Sequence, residues 1–143
     1  MNSAPIFIKN VIKTLKINPL FENIELVAAY ENEIKPYPVT HPILAFAVQS
    51  ETVSDRLIDI ATDGSQTQSN RRKVETVFKV SVFVPYESGT VEAYRMADYL
   101  YSTLLFQTTL PIVGCKYADC NYVRDCGALV LDTTFTMCTE VSE

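Results

Sequence analysis

The chain contains no tryptophan, one histidine and only four glycines. So few glycines leave no room for the G-x-G-x-x-G or P-loop cradles that hold nucleotide phosphates. The one histidine, His41, sits in a Thr-His-Pro connector. A cysteine–histidine dyad would have to use it, and the sequence offers no third group to orient its ring. No apolar run approaches the roughly 18 residues of a membrane span. The first residues lack the basic start, apolar core and small-residue cleavage site of a secretory signal, so an intracellular chain is expected. Cations are outnumbered 12 to 17, for a net charge of −5. That balance argues against a nucleic-acid-binding surface, which is normally basic. The one basic cluster, Arg71-Arg72-Lys73, reads as the solvated end of a polar loop.

The four cysteines also lack something. Cys115, Cys120, Cys126 and Cys138 are spaced C-x4-C-x5-C-x11-C, with no C-x2-C knuckle to fix two thiolates at tetrahedral geometry. Neither a metal nor another cofactor is expected. Cys115 and Cys138 could face each other in a final hairpin, as a reduced pair in the absence of a secretory signal. Asp55, Asp59 and Asp63 recur every four residues, but a hydrated loop explains them. Tyr94 and Tyr101 fall seven apart on a helix, as packing or an interface stripe would. No catalytic residue is expected.

What is present is scaffold. A chain of 143 residues with 48% apolar content is expected to form one domain, 1–143. At that length about 68–70% of the unfolded surface can be buried without staples. Ser3 can cap a first helix whose apolar face is Phe7, Ile8, Val11, Ile12 and Leu15, ended by Asn18-Pro19. Ile24 to Tyr30 reads as a short strand. Glu31 to Pro42 reads as an extended connector. Ile43 to Val48 is a continuous apolar run, as in a strand covered on both faces. Val53 to Ala61 alternates partly, with Ser54 and Arg56 on the face of Ile58 and Ile60, and could be a strand of an exposed hairpin. Thr62 to Asn70 is polar throughout and reads as a loop.

Lys73 to Val84 carries the strongest period-two signal, with 74, 78, 80, 82 and 84 apolar on one face and Thr76 the exception. Pro85-Tyr86-Glu87-Ser88-Gly89-Thr90 then opens a helix to about Phe106, with Ser88 or Thr90 as its cap. Its stripe is Ala93, Met96, Ala97, Leu100 and Leu104. Ile112 to Arg124 reads as a strand with a bulge, Asp125-Cys126-Gly127 as a turn, and Ala128 to Cys138 as a closing strand. Runs of strands with two helices give the α+β class. The expected sheet has four to five strands, mostly antiparallel or mixed, flanked by the N-terminal helix and the long central one.

This succession of elements resembles the tail terminator (tail completion) proteins of long-tailed bacteriophages and related contractile injection particles. The features that carry the resemblance are the helix at 4–16, the strand Ile43–Val48, the polar stretch 62–72, the strand Val74–Val84, the helix entered through Pro85 to Thr90, and the hairpin 112–139. The resemblance covers nearly the whole chain in pattern and size. It implies a non-enzymatic subunit closing into a homo-oligomeric ring, usually a hexamer, on the head-proximal end of a tail tube. Its partners would be further copies of itself, the tube protein, the head connector and, in contractile tails, the last sheath ring. DNA would be passing cargo only, no membrane would be involved, and the protein would move from the host cytoplasm into the virion tail.

Within that reading, the stretch 62–72 is expected to be a mobile polar loop that orders on meeting a tube or a neighbour. Its Asp63, Gly64, Gln66, Gln68, Asn70, Arg71 and Arg72 are the interface candidates. Deleting Gly64–Asn70 would then spare folding and weaken assembly. Acidic charge in a ring lumen would repel DNA within about 8 Å. Two rivals remain: a head–tail connector or neck subunit, and a cytoplasmic α+β domain with a ligand pocket between sheet and long helix.

Overall fold

A computed structural model describes residues 4–28 and 38–142. Its longest feature is one hairpin. Strand β2 (Ile43–Ile60) and strand β3 (Gln66–Pro85) run antiparallel from Ile43↔Phe83 out to Ile60↔Gln66. At 18 and 20 residues, each is several times the usual strand length of about 5–6. The turn between them is short. Ala61 N–H donates to Ser65 O at 2.9 Å, Gly64 N–H donates to Ala61 O at 2.9 Å, and Asp63 Oδ1 accepts from Ser65 N–H at 2.9 Å. Gly64 lies at φ +85°, where a residue with a Cβ is strained.

This corrects the expected loop at 62–72. Residues 66–72 are part of β3, and the connection is confined to 61–65. The physical reason is that ladder bonds are backbone bonds and do not depend on side-chain polarity. Residues 66–70 pair with β2 alone and, Ser69 apart, are exposed, so no apolar period-two signal is written into them. The Gly64–Asn70 deletion would therefore cut into the ladder as well as the turn. The expected strand at Val53–Ala61 is found, fused with Ile43–Val48 into the single strand β2.

Three more strands complete the sheet in the order β1-β2-β3-β5-β4. Strand β1 (Glu25–Ala28) lies parallel to the start of β2, from Glu25↔Ile43 to Ala28↔Phe46. Strand β5 (Ala128–Ser142) is antiparallel to β3, and β4 (Ile112–Val123) is antiparallel to β5. The sheet is mixed and the class is α+β, as the order of elements predicts. The expected bulge in β4 appears twice, at Ile112/Gly114 and Tyr117/Cys120.

Both helices cover one face. Helix α1 (Ala4–Lys16) contributes Ile8, Val11 and Leu15, and helix α2 (Gly89–Phe106) contributes Ala93, Met96, Ala97, Leu100 and Leu104. They meet Leu44, Phe46, Phe78, Val80, Val82, Val84, Leu129, Leu131 and Phe135 from the sheet. Phe78 is the centre, stacked on Phe135 at 5.3 Å and met edge-on by Phe7 at 5.4 Å. Each fully buried side chain of this size contributes about 1.5–3 kcal/mol, so this face supplies most of the stability. Thr76 and Thr133 share the buried row; Thr133 Oγ1 donates to Val80 O at 2.9 Å. The opposite face holds a smaller cluster of Val39, Ile43, Ala45, Phe83, Cys126 and Ala128, closed by Val39 N–H donating to Cys126 O at 2.9 Å.

Other expectations differ in detail. Ser88 occupies the cap position of α2, but its side chain makes no capping bond, because a 3-10 turn (Tyr86–Ser88) leads straight into the helix. Cys115 faces Phe135, not Cys138, which pairs with Glu75 on β3. By alternation Cys138 lies on the face away from the helices, whereas Cys115 packs on the main core. The Ser3 cap, the end of the Ile24–Tyr30 strand and most of the Glu31–Pro42 connector lie outside the described residues.

Candidate interaction surface

The hairpin outruns its cover. Alternate residues of β3 from Val84 back to Val74 are buried. Beyond Val74 the helices no longer reach, yet the ladder continues as an arm of residues 53–60 and 66–72. Val53 pairs with Val74 and so continues the core row; Ile58 and Ile60 follow at two-residue spacing beyond Arg56. Val53, Ile58 and Ile60 are 49%, 59% and 70% exposed. Arg56 interrupts this row between Val53 and Ile58 and stands opposite Arg72 across the ladder.

The arm is kept in shape by specific bonds. Where β2 bulges between Val53 and Arg56, Ser54 Oγ accepts the Lys73 N–H at 2.9 Å, while Arg72 Nη1 donates to Ser54 O at 3.1 Å. Arg71 joins three segments. It donates to Asp59 Oδ1 at 2.7 Å on β2 and to Glu140 Oε2 at 3.1 Å on β5, while its Nε and N–H both reach Ser69 Oγ. The hydrogen bond that Arg71 donates to Asp59 and the nearby Glu140 charge raise the Arg71 pKa. At the tip, the bonds from Ser65 lower the Asp63 pKa.

The seven sequence-derived interface candidates thus fall on one arm but in different roles. Asp63 and Gly64 form the turn. Gln66 and Gln68 stand opposite Ile60 and Ile58, and Asn70 is exposed beside them. Arg71 and Arg72 fasten the arm to itself. The apolar residues Val53, Ile58 and Ile60 were missed by this reasoning. Their signal was the partial alternation of Val53–Ala61, blurred by register shifts at Val53/Arg56 and Arg56/Ile58.

A second surface lies on the outside of α1. There Ile12 and Ile17 lie along one open stripe with Lys9, Lys13 and Lys16, and Ile17 is 78% exposed. A neighbouring open depression past Asn18 and Pro19 is lined by Phe21, Glu22 and Ile24. By contrast, the space between the sheet and α2, where a ligand pocket was a rival expectation, is filled by Ala93, Ala97, Leu100 and Leu104 against the sheet.

The reactive groups are spread out. Among the described residues, no three His, Cys, Asp or Glu side chains are placed to share a metal ion. Burial pushes the Cys115 thiol up to about 11 and raises that of Cys120, so both remain protonated, poorly nucleophilic thiols. His41 does have orienting partners, contrary to expectation: Nε2 meets Glu25 Oε2 at 2.6 Å, and Nδ1 meets Thr40 Oγ1 at 3.2 Å. All three side chains stand in water, where the contact ties β1 to the approach of β2. Among the described residues, no helix is long and apolar enough to cross a membrane. In comparison with known proteins, the chain matches no protein-family model, and no curated protein sequence matches it.

Proposed function

We propose that this protein is a structural subunit that works by self-association into a ring. The ring reading, taken with the resemblance in element order, assigns it to the head-proximal end of a phage or phage-like tail tube. There it would stop tube growth and present a docking surface to the head connector and, in a contractile tail, to the last sheath ring. The observation that carries the reading is the arm, a rigidly bonded hairpin projecting from a packed core with an apolar strip along it. A domain that binds a small ligand concentrates its design in a concave pocket. This chain commits its buried side chains to a solid sheet–helix sandwich, and Val53, Ile58 and Ile60 of the arm are among its exposed large apolar residues.

The test is assembly. Purified protein examined by sedimentation velocity and negative-stain microscopy is expected to give closed rings that cap isolated tail-tube ends. Rings that ignore tube ends but bind a head connector would move the assignment to the neck. A monomer at every concentration would overturn the reading.

A further inference from the structure

Asp63-Gly64 is the one place in the chain where a glycine follows an aspartate or an asparagine. That dipeptide carries chemistry of its own. The amide nitrogen after an aspartate can attack the side-chain carboxyl carbon, and glycine, with no Cβ, hinders the approach least. Here the dipeptide is exposed at the tip of the hairpin, and nothing beyond the chain neighbours lies within 4 Å of where a Gly64 Cβ would stand. The tip is nonetheless tied. Gly64 N–H donates to Ala61 O at 2.9 Å, so the nitrogen that would attack is the one whose proton the turn holds. Asp63 Oδ1 accepts from Ser65 N–H at 2.9 Å. The hydrogen bonds from Ser65, side chain first and then N–H, hold the Asp63 pKa below the usual carboxylate value. A carboxylate gives up an oxygen less readily than the acid does. Both reacting groups are therefore kept in their less reactive state while the turn is closed.

We propose that Asp63-Gly64 is a site of succinimide formation and isoaspartate modification, gated by opening of the hairpin tip. In the open tip Gly64 N bonds to Asp63 Cγ, and the amide proton leaves with the carboxylic hydroxyl as one water. Water then adds back to one of the two ring carbonyls. Addition at Cγ breaks the Cγ–N bond and restores the aspartate. Addition at the main-chain carbonyl carbon of Asp63 breaks its bond to Gly64 N, and the chain then runs through Cγ as isoaspartate. One water leaves and one returns, so the net change is an isomerisation that needs no oxidant or reductant. The isomerised backbone is one carbon longer between Asp63 Cα and Gly64 N. A turn closed by Gly64 N–H to Ala61 O and by Ala61 N–H to Ser65 O has no place for the extra atom. The nearest rungs, Ile60↔Gln66 and Asp59↔Thr67, then fray. This chemistry belongs to a single chain and does not depend on the ring.

The experiment incubates the full-length protein in heavy-oxygen water, folded and in guanidinium. Ring opening labels the tryptic peptide 57–71, chromatography separates its aspartate and isoaspartate forms, and fragmentation tells Asp63 from Asp59. Hydrogen exchange at the Gly64 amide of the folded protein measures how often the tip opens. In guanidinium Asp63 is expected to isomerise ahead of every other Asp or Asn. In the folded chain it is expected to be at least roughly tenfold slower, by a factor that matches the protection of the Gly64 N–H to within a few fold. Asp63→Glu, which would have to close a larger ring, is expected to give almost no isomer, and circular dichroism checks that it folds. The isomerised fraction of wild type is expected to lose exchange protection over the tip. Another Asp or Asn that reacts first in guanidinium would overturn the site. A folded chain that isomerises as fast as the unfolded one, or faster, would overturn the gate. So would a Gly64 amide that exchanges freely while the folded chain stays unmodified. Unchanged protection after isomerisation would overturn the fraying.

Discussion

The two halves of the β2–β3 hairpin share a backbone and differ in what holds them. Near the base, Leu44, Phe46, Phe78, Val80 and Val82 lie under two helices, and order follows from burial. In the arm, ladder bonds, the Arg71 contacts and a five-residue turn keep the strands together while aliphatic side chains face water. The base can be read as the source of stability and the arm as stability spent on display. A strand pair alone in water is marginal. This one is tolerated because it is continuous with a strongly held base, and because β5 follows β3 as far as Arg71↔Ser142.

The contrast can be broken most forcefully at the base. Phe78→Ala removes the ring between Phe7 and Phe135 and is expected to cost about 3–5 kcal/mol, read as a lower urea midpoint. Alkaline titration is the next probe of the covered half. Burial raises the Cys115 thiol to about 11; burial, followed by the hydrogen bond to Asp98, raises the Tyr117 hydroxyl. The folded chain therefore holds these protons after the unfolded chain has released them. Stability is expected to be full below about pH 9, where a thiol ordinarily ionises, and to fall as pH rises from there toward 11. Urea midpoints between pH 8 and 11 measure the slope, and Cys115→Ala with Tyr117→Phe should flatten it.

Smaller effects belong to the arm. Gly64→Ala forces a side chain into the left-handed region and is expected to cost about 1 kcal/mol, with no change in the core's thermal signature beyond that shift. Ile60→Ser is expected to change monomer stability by less than about 0.5 kcal/mol yet to weaken association, seen as a lower weight-average mass at equal concentration. A large loss of stability there would mean that the arm is held by burial after all.

How much of this was legible depended on whether a face is buried. The 74–84 alternation and the 93–104 stripe were readable because water lies on one side of each and hydrocarbon on the other. The helix at 4–16 and the bulged strand at 112–123 were readable for the same reason. Residues 66–72 were not, because 66–70 are exposed apart from Ser69, and Ser, Gln, Thr and Asn there look alike in a loop and in an exposed ladder. The Glu25–His41 contact links residues sixteen apart through a parallel pairing that local patterns do not encode. The aliphatic strip was half visible, and its bulges hid the rest.

The outer rim of β2 has one more consequence. Among the described residues β1 covers only Ile43–Phe46 of it, and the strand beyond is broken in register at Val48/Ser50, Val53/Arg56 and Arg56/Ile58. A straight rim of that length would be a template on which extended chains could add without limit, as they do in fibrils. Bulged at Val48/Ser50 and Val53/Arg56, it presents no continuous run of backbone donors and acceptors to copy. Growth by strand addition along this rim is discouraged, and a partner that meets it must recognise side chains, a choosier event that can stop at a fixed number.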